Sequence, residues 1–99
     1  MVADECRHPA IHYRVFAPDG DGLLIVDFDE AADSDTTNGG GHVALVFWGP
    51  IARIGYMQTS KTLYQHQSML QKVMDLLQLS NPPGGAANAP VMSEFVVQK

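Results

Sequence analysis

Histidines, carboxylates, serines and one cysteine are the residues that could do chemistry in this chain. His12 and His42 fall on the first and third of four expected strands, which are not neighbours in a simple meander. His66 lies within the apolar arc of an expected helix. A lone histidine there is most often a hydrogen-bonded boundary residue rather than a ligand or catalyst. Asp27 and Asp29 are two apart on one strand, so their carboxylates share a face. Such a pair can hold a divalent ion or raise one carboxyl pKa. The commoner role is a polar strand end leaving the core. Cys6 has His8 close in sequence, which is weak ground for a Cys–His pair. Ser34, Ser60, Ser68, Ser80 and Ser93 sit in no Gly-x-Ser-x-Gly elbow. The expectation is no catalytic residue, no metal and no cofactor.

Two glycine-rich stretches have a superficial ligand-binding look. In 18–22, Pro-Asp-Gly-Asp-Gly, aspartates and glycine align with the third, fifth and sixth positions of a calcium loop. The first and twelfth positions then fall on Ala17 and Phe28, neither of which supplies a side-chain oxygen ligand. Gly39-Gly40-Gly41 is followed by no Gly-Lys-Ser/Thr, and the next element reads as a strand, so it is not a phosphate loop.

The elements that must position these groups come in a simple order. Residues 1–9 show no periodicity and read as a flexible arm. Ala10–Ala17 alternates as a strand, with Ile11, Tyr13 and Val15 on one face. The turn chemistry of 18–22 leads into a second strand, 23–28. A polar connection, 29–41, follows. His42–Trp48 is the most hydrophobic strand, with Leu45 and Phe47 facing one way and Val46 and Trp48 the other. Ile51–Met57 reads as a fourth strand, with Gly55 marking a bulge.

Residues 59–79 then read as one long amphipathic helix, capped at Thr59 or Ser60. At about 100° per residue, Leu63, Leu70, Val73, Met74 and Leu77 share an arc. Met69 and Leu76 widen it. Asn81 and Pro82-Pro83 end it. Residues 82–90 read as a linker, and 91–99 as a tail with a short strand at Phe95-Val96-Val97. The expected fold is α+β: one domain, a four-stranded antiparallel meander (10–57), one helix packed on one sheet face, and a short C-terminal extended segment.

Composition narrows the partners. Charged residues make up 17% of the chain, below the usual quarter, which suits surface hidden in an oligomer. The net charge of −5 is uneven: no Lys or Arg lies between Val15 and Ala52, while Asp19, Asp21, Asp27, Asp29, Glu30, Asp33 and Asp35 do. That field repels phosphate backbones and disfavours nucleic acid. A lone cysteine fits a reducing compartment. With no signal-peptide pattern and no run long enough to cross a bilayer, the expectation is a cytoplasmic protein with no membrane partner.

One helix cannot cover both faces of a sheet that is apolar on both. Leaving such side chains wet forfeits about 1.5–3 kcal/mol apiece, and a second copy packed about a two-fold axis is the simplest remedy. The sequence therefore points to a non-enzymatic interaction protein, of adaptor or inhibitor type, acting as a homodimer that engages another protein. Phe47, Trp48, Tyr56, Met69 and Leu76 are the candidate contacts, with Asp27, Asp29, Asp33 and Asp35 steering. The rival is a ligand-binding or enzymatic domain with an apolar pocket between sheet and helix, where His12, Tyr13, His42, Tyr56 or His66 supplies a polar contact.

Overall fold

A computed structural model describes residues 14–97. The chain divides between Ile54 and Gly55 into two compact units.

The N-terminal unit is built on a two-stranded antiparallel ribbon, β1 (Leu24–Asp27) and β2 (Leu45–Trp48). Both strands are rich in β-branched and aromatic residues, which fit a pleated surface. The register pairs Leu24 with Trp48, Ile25 with Phe47, Val26 with Val46 and Asp27 with Leu45. Upstream, Arg14 and Val15 are helical. The chain then folds back, with the Gly20 amide donating to the Ala17 carbonyl (2.8 Å) and the Gly22 amide to the Val15 carbonyl (2.7 Å).

The connection 28–44 is fastened by one carboxylate. Asp35 Oδ1 accepts the Thr37 amide (3.0 Å) and Oδ2 accepts the His42 amide (2.9 Å). Between them runs a 3-10 turn, Thr37–Gly39, in which Asn38 takes φ +54. Gly41 has φ +81, and a Cβ there would meet the Ala31 side chain and the Asp35 carbonyl. Only glycine fits that position without displacement.

In the C-terminal unit the helix spans His66–Leu76. It starts later than the 59–79 reading because its expected cap is engaged elsewhere. Ser60 Oγ donates to Glu94 Oε1 (2.9 Å), and the Gln58 side-chain amide donates to the Ser60 and Thr62 carbonyls (3.2 and 2.8 Å). These bonds hold the segment after Thr59 outside the helix, and Gln65 becomes the N-cap with no side-chain bond of its own. The exit is a Schellman motif: Leu79 N–H donates to Met74 O (2.8 Å) and Gln78 N–H to Asp75 O (3.1 Å). Gln78 sits at φ +56 and Asn81 at φ +60, so the reversal begins three residues before the asparagine that signalled it.

The helix packs against a 3-10 turn, Gly84–Asn88, where the sequence suggested a linker. Ala86 in that turn and Met92 beyond it are each 1% exposed and form the apolar centre of this unit. The helix turns polar residues inward: Ser68 and Lys72 are buried. Leu70 and Leu76 of the expected apolar arc are exposed, as is Leu77 just past the helix end.

The expected meander is corrected. Among the described residues two strands form a sheet, not four. Of the first expected strand, Arg14 and Val15 are helical and Phe16 and Ala17 lie in the turn that follows; residues 10–13 lie outside the described residues. The fourth fails because turns bracket it. Gly49 takes φ +140 and Gly55 φ +66, and the Ala52 amide donates to the Gly49 carbonyl (3.0 Å), closing a turn around Pro50. Too few residues remain between those turns for a ladder. The C-terminal extended segment gives way to a 3-10 turn at Ser93–Phe95, where Glu94 gathers side chains from the stretch before the helix.

Candidate functional site

The ribbon has two unlike faces. Directly paired residues project to the same side, so Leu24 and Val26 share a face with Trp48 and Val46. All four are exposed, Trp48 at 59%. Phe28, two residues beyond Val26, is exposed as well. Phe16 reaches this face from the upstream turn, its ring 5.4 Å from that of Trp48 at a tilt of 33°. The opposite face carries Ile25, Asp27, Leu45 and Phe47, all half-buried. One side of the ribbon is thus covered, and the other is a row of aliphatic and aromatic side chains open to water.

The expected contact residues divide between the two units. Trp48 stands on the exposed face, opposite Leu24 in the end pair of the ladder, whereas Phe47 lies on the covered one. Tyr56 belongs to the C-terminal unit, where its hydroxyl donates to Glu94 Oε2 (3.2 Å) and its ring meets Phe95 edge-on at 5.7 Å. Met69 and Leu76 are on the helix, half-buried and exposed respectively. Leu24, Val26, Phe28 and Val46 complete the open face. The period-two spacing of 24, 26 and 28 was their signal in the sequence.

The acidic residues divide by role. Asp27 is half-buried and accepts the Phe28 amide (2.9 Å), and Asp29 accepts the Glu30 amide (3.0 Å). Asp33 lies exposed in a turn. Asp35 is the fastening of the 28–44 connection. Hydrogen bonds from the Thr37 hydroxyl, then from the Thr37 and His42 amides, lower its pKa from 3.8 to about 2.

The described members of the expected polar pocket set, His42, Tyr56 and His66, divide between the two units. His42 is exposed and contributes its backbone amide to Asp35. His66 opens the helix and is exposed. His12 and Tyr13 lie outside the described residues. Among the described residues, no group of three or more His, Cys, Asp or Glu side chains is placed to hold a metal ion. No described helix is long and apolar enough to cross a membrane.

The C-terminal unit contains a second polar arrangement. The Glu94 carboxylate receives Tyr56 and Ser60 hydroxyls, and Phe95 sits between the edges of Tyr56 and Tyr64, 5.6 Å from the latter. Burial, followed by the hydrogen bond and charge of Glu94, raises the Tyr64 pKa above 10.0. Tyr64 also donates to the Val91 carbonyl at 3.4 Å. These bonds tie the stretch before the helix to the segment after it.

No family model, curated protein or solved structure matches this chain. Its function is therefore argued from its own surfaces.

Proposed function

We propose that the chain is a small non-enzymatic protein–protein interaction module that acts as a homodimer, with the open face of the β1–β2 ribbon as the self-association surface. The observation that carries this is the contiguous row of Leu24, Val26, Phe28, Val46 and Trp48, flanked by Phe16, exposed on one face of a strand pair.

Area supports a second copy as the occupant. The exposed portions of these six side chains amount to roughly 500 Å². Two such faces about a two-fold axis bury about 1,000 Å², the lower bound for a specific interface. Tryptophan is a residue type enriched at hot spots, and Trp48 is the largest side chain of the patch, 59% exposed. An interface of this size gives a reversible dimer rather than an obligate one.

Charge separates this reading from a heterologous one. Two copies each carrying −5 repel, so salt tightens a homodimer by screening. A basic partner steered by Asp29 and Asp33 is instead released by salt. Sedimentation velocity over a range of concentrations and ionic strengths tests both. The reading predicts a species approaching twice 10.8 kDa that strengthens with salt and is lost in Trp48→Ser. A 10.8 kDa species at every concentration and salt level contradicts it.

A further inference from the structure

The helix of the C-terminal unit buries a polar stripe, and that stripe opens into a cleft. Ser68, Gln71, Lys72 and Asp75 recur at helical spacing on one side. Ser68 is fully buried and Lys72 is 6% exposed. Gln71, Lys72 and Asp75 line a half-open cleft of about 270 Å³ whose other walls are Leu79, Pro82 and Val91. The polar groups in it are underused. The Lys72 ammonium has three donors, and its ion pair is with Asp75 Oδ2 at 3.4 Å. Gln71 Oε1 is buried without a hydrogen-bond partner, as is Ser68 Oγ beside it on the helix. A buried ammonium at the edge of the cleft carries a desolvation cost that a bound anion could offset.

The geometry points to a binding site for a small aliphatic α-amino carboxylate. An anion is required by Lys72, whose remaining donors suit a carboxylate. A hydrogen-bond donor, best a cationic one, suits the exposed Asp75 carboxylate on the cleft wall. An aliphatic side chain suits the Leu79, Pro82 and Val91 walls. The volume corresponds to roughly nine water molecules at about 30 Å³ each, about the number of non-hydrogen atoms in free leucine. The same chemistry is presented by the C-terminal residue of a peptide, with an amide N–H in place of the ammonium. This site is independent of the ribbon face, so it stands or falls separately from the homodimer.

The test is a titration of the full chain with L-leucine, followed by amide chemical shifts. N-acetyl-L-leucine and 4-methylpentanoate, which lacks the nitrogen, are run in parallel. Shifts confined to residues 68–91 that saturate with a Kd of order 0.1–1 mM are expected, the range a ligand of this size allows. Lys72→Met keeps an unbranched apolar stem, one atom shorter, and removes the charge. It should weaken binding at least tenfold, with the free protein's circular dichroism unchanged. Binding of 4-methylpentanoate should also be weaker, because it offers Asp75 no hydrogen-bond donor. Tight binding of leucine alone assigns the site to the free amino acid. Equal binding of the acetylated form assigns it to peptide C-termini. No saturable shift at about 10 mM, or equal binding in Lys72→Met, overturns the proposal.

Discussion

The two units leave apolar surface exposed in opposite ways. In the N-terminal unit a strand pair separates its faces cleanly, Ile25 and Phe47 towards cover, Val26 and Trp48 towards water. In the C-terminal unit the helix reverses the usual arrangement, with Ser68 and Lys72 inward and Leu70 outward. The difference lies in what anchors each element. The ribbon is anchored by backbone pairing, so its side chains are sorted by the pleat alone. The helix is anchored from both ends by side-chain bonds and turns: Glu94 on the stretch before it and the Gly84–Asn88 turn along its flank. Those anchors set which side is covered, and the hydrophobic arc follows rather than leads.

Substitutions can break this contrast, and the largest effect falls on the ribbon. Trp48→Ser should weaken self-association by about 3 kcal/mol, as for an aromatic hot spot, while leaving the monomer's far-ultraviolet spectrum intact. Concentration-dependent light scattering reads the change. If association survives, the open face is not the interface and the two units differ only in appearance.

Next comes the fastening of the ribbon's long connection. Gly41→Ala forces a Cβ against Ala31 and the Asp35 carbonyl in a left-handed backbone, which should cost about 2 kcal/mol. Denaturant unfolding measures it. An unchanged midpoint would mean that the connection does not brace the strands.

The helix exit offers a smaller effect of opposite sign. Gln78 holds φ +56 at the Schellman position, where glycine carries no Cβ penalty. Gln78→Gly should stabilise the C-terminal unit by about 1 kcal/mol, seen as a raised melting temperature. A loss of stability would show that the helix continues past Leu76 in solution.

The smallest effect is a titration. Asp35 has its carboxyl pKa lowered from 3.8 to about 2 by Thr37 and His42. The sign follows from linkage: its bonds are fully present above pH 3.8 and are lost as pH falls towards 2. Amide exchange at Thr37 and His42 should accelerate across that window, and Asp35→Asn should abolish the pH dependence.

Much of the ribbon was legible in the sequence, and most of its surroundings were not. Leu23–Phe28 and His42–Trp48 carry apolar runs dense enough to place both strands, with the paired cores at 24–27 and 45–48. Ile51–Met57 carries an alternation of its own. It loses to turn chemistry, because Gly49, Pro50 and Gly55 dictate the backbone before side-chain pattern can act. The helix start was misplaced for a long-range reason. Ser60 reads as a cap when seen locally, but Glu94 takes its hydroxyl from 34 residues away. No local pattern encodes that bond. For the same reason the inward polar stripe of the helix was invisible: periodicity identifies an apolar arc but not the neighbour that covers the other side. Within the site, Trp48 stood out as the sole tryptophan on an apolar strand. Leu24, Val26 and Val46 gain their meaning only from the register that sets them beside it.

The proposed homodimer requires the open face of the ribbon to be covered by another copy, and the chain's single tryptophan reports on that face directly. Trp48 emission is to be followed with acrylamide quenching as the protein is concentrated. Emission that moves to shorter wavelength and becomes shielded from quencher with rising concentration, more steeply in added salt, is the predicted result. Emission that stays long-wavelength and freely quenched at every concentration contradicts it.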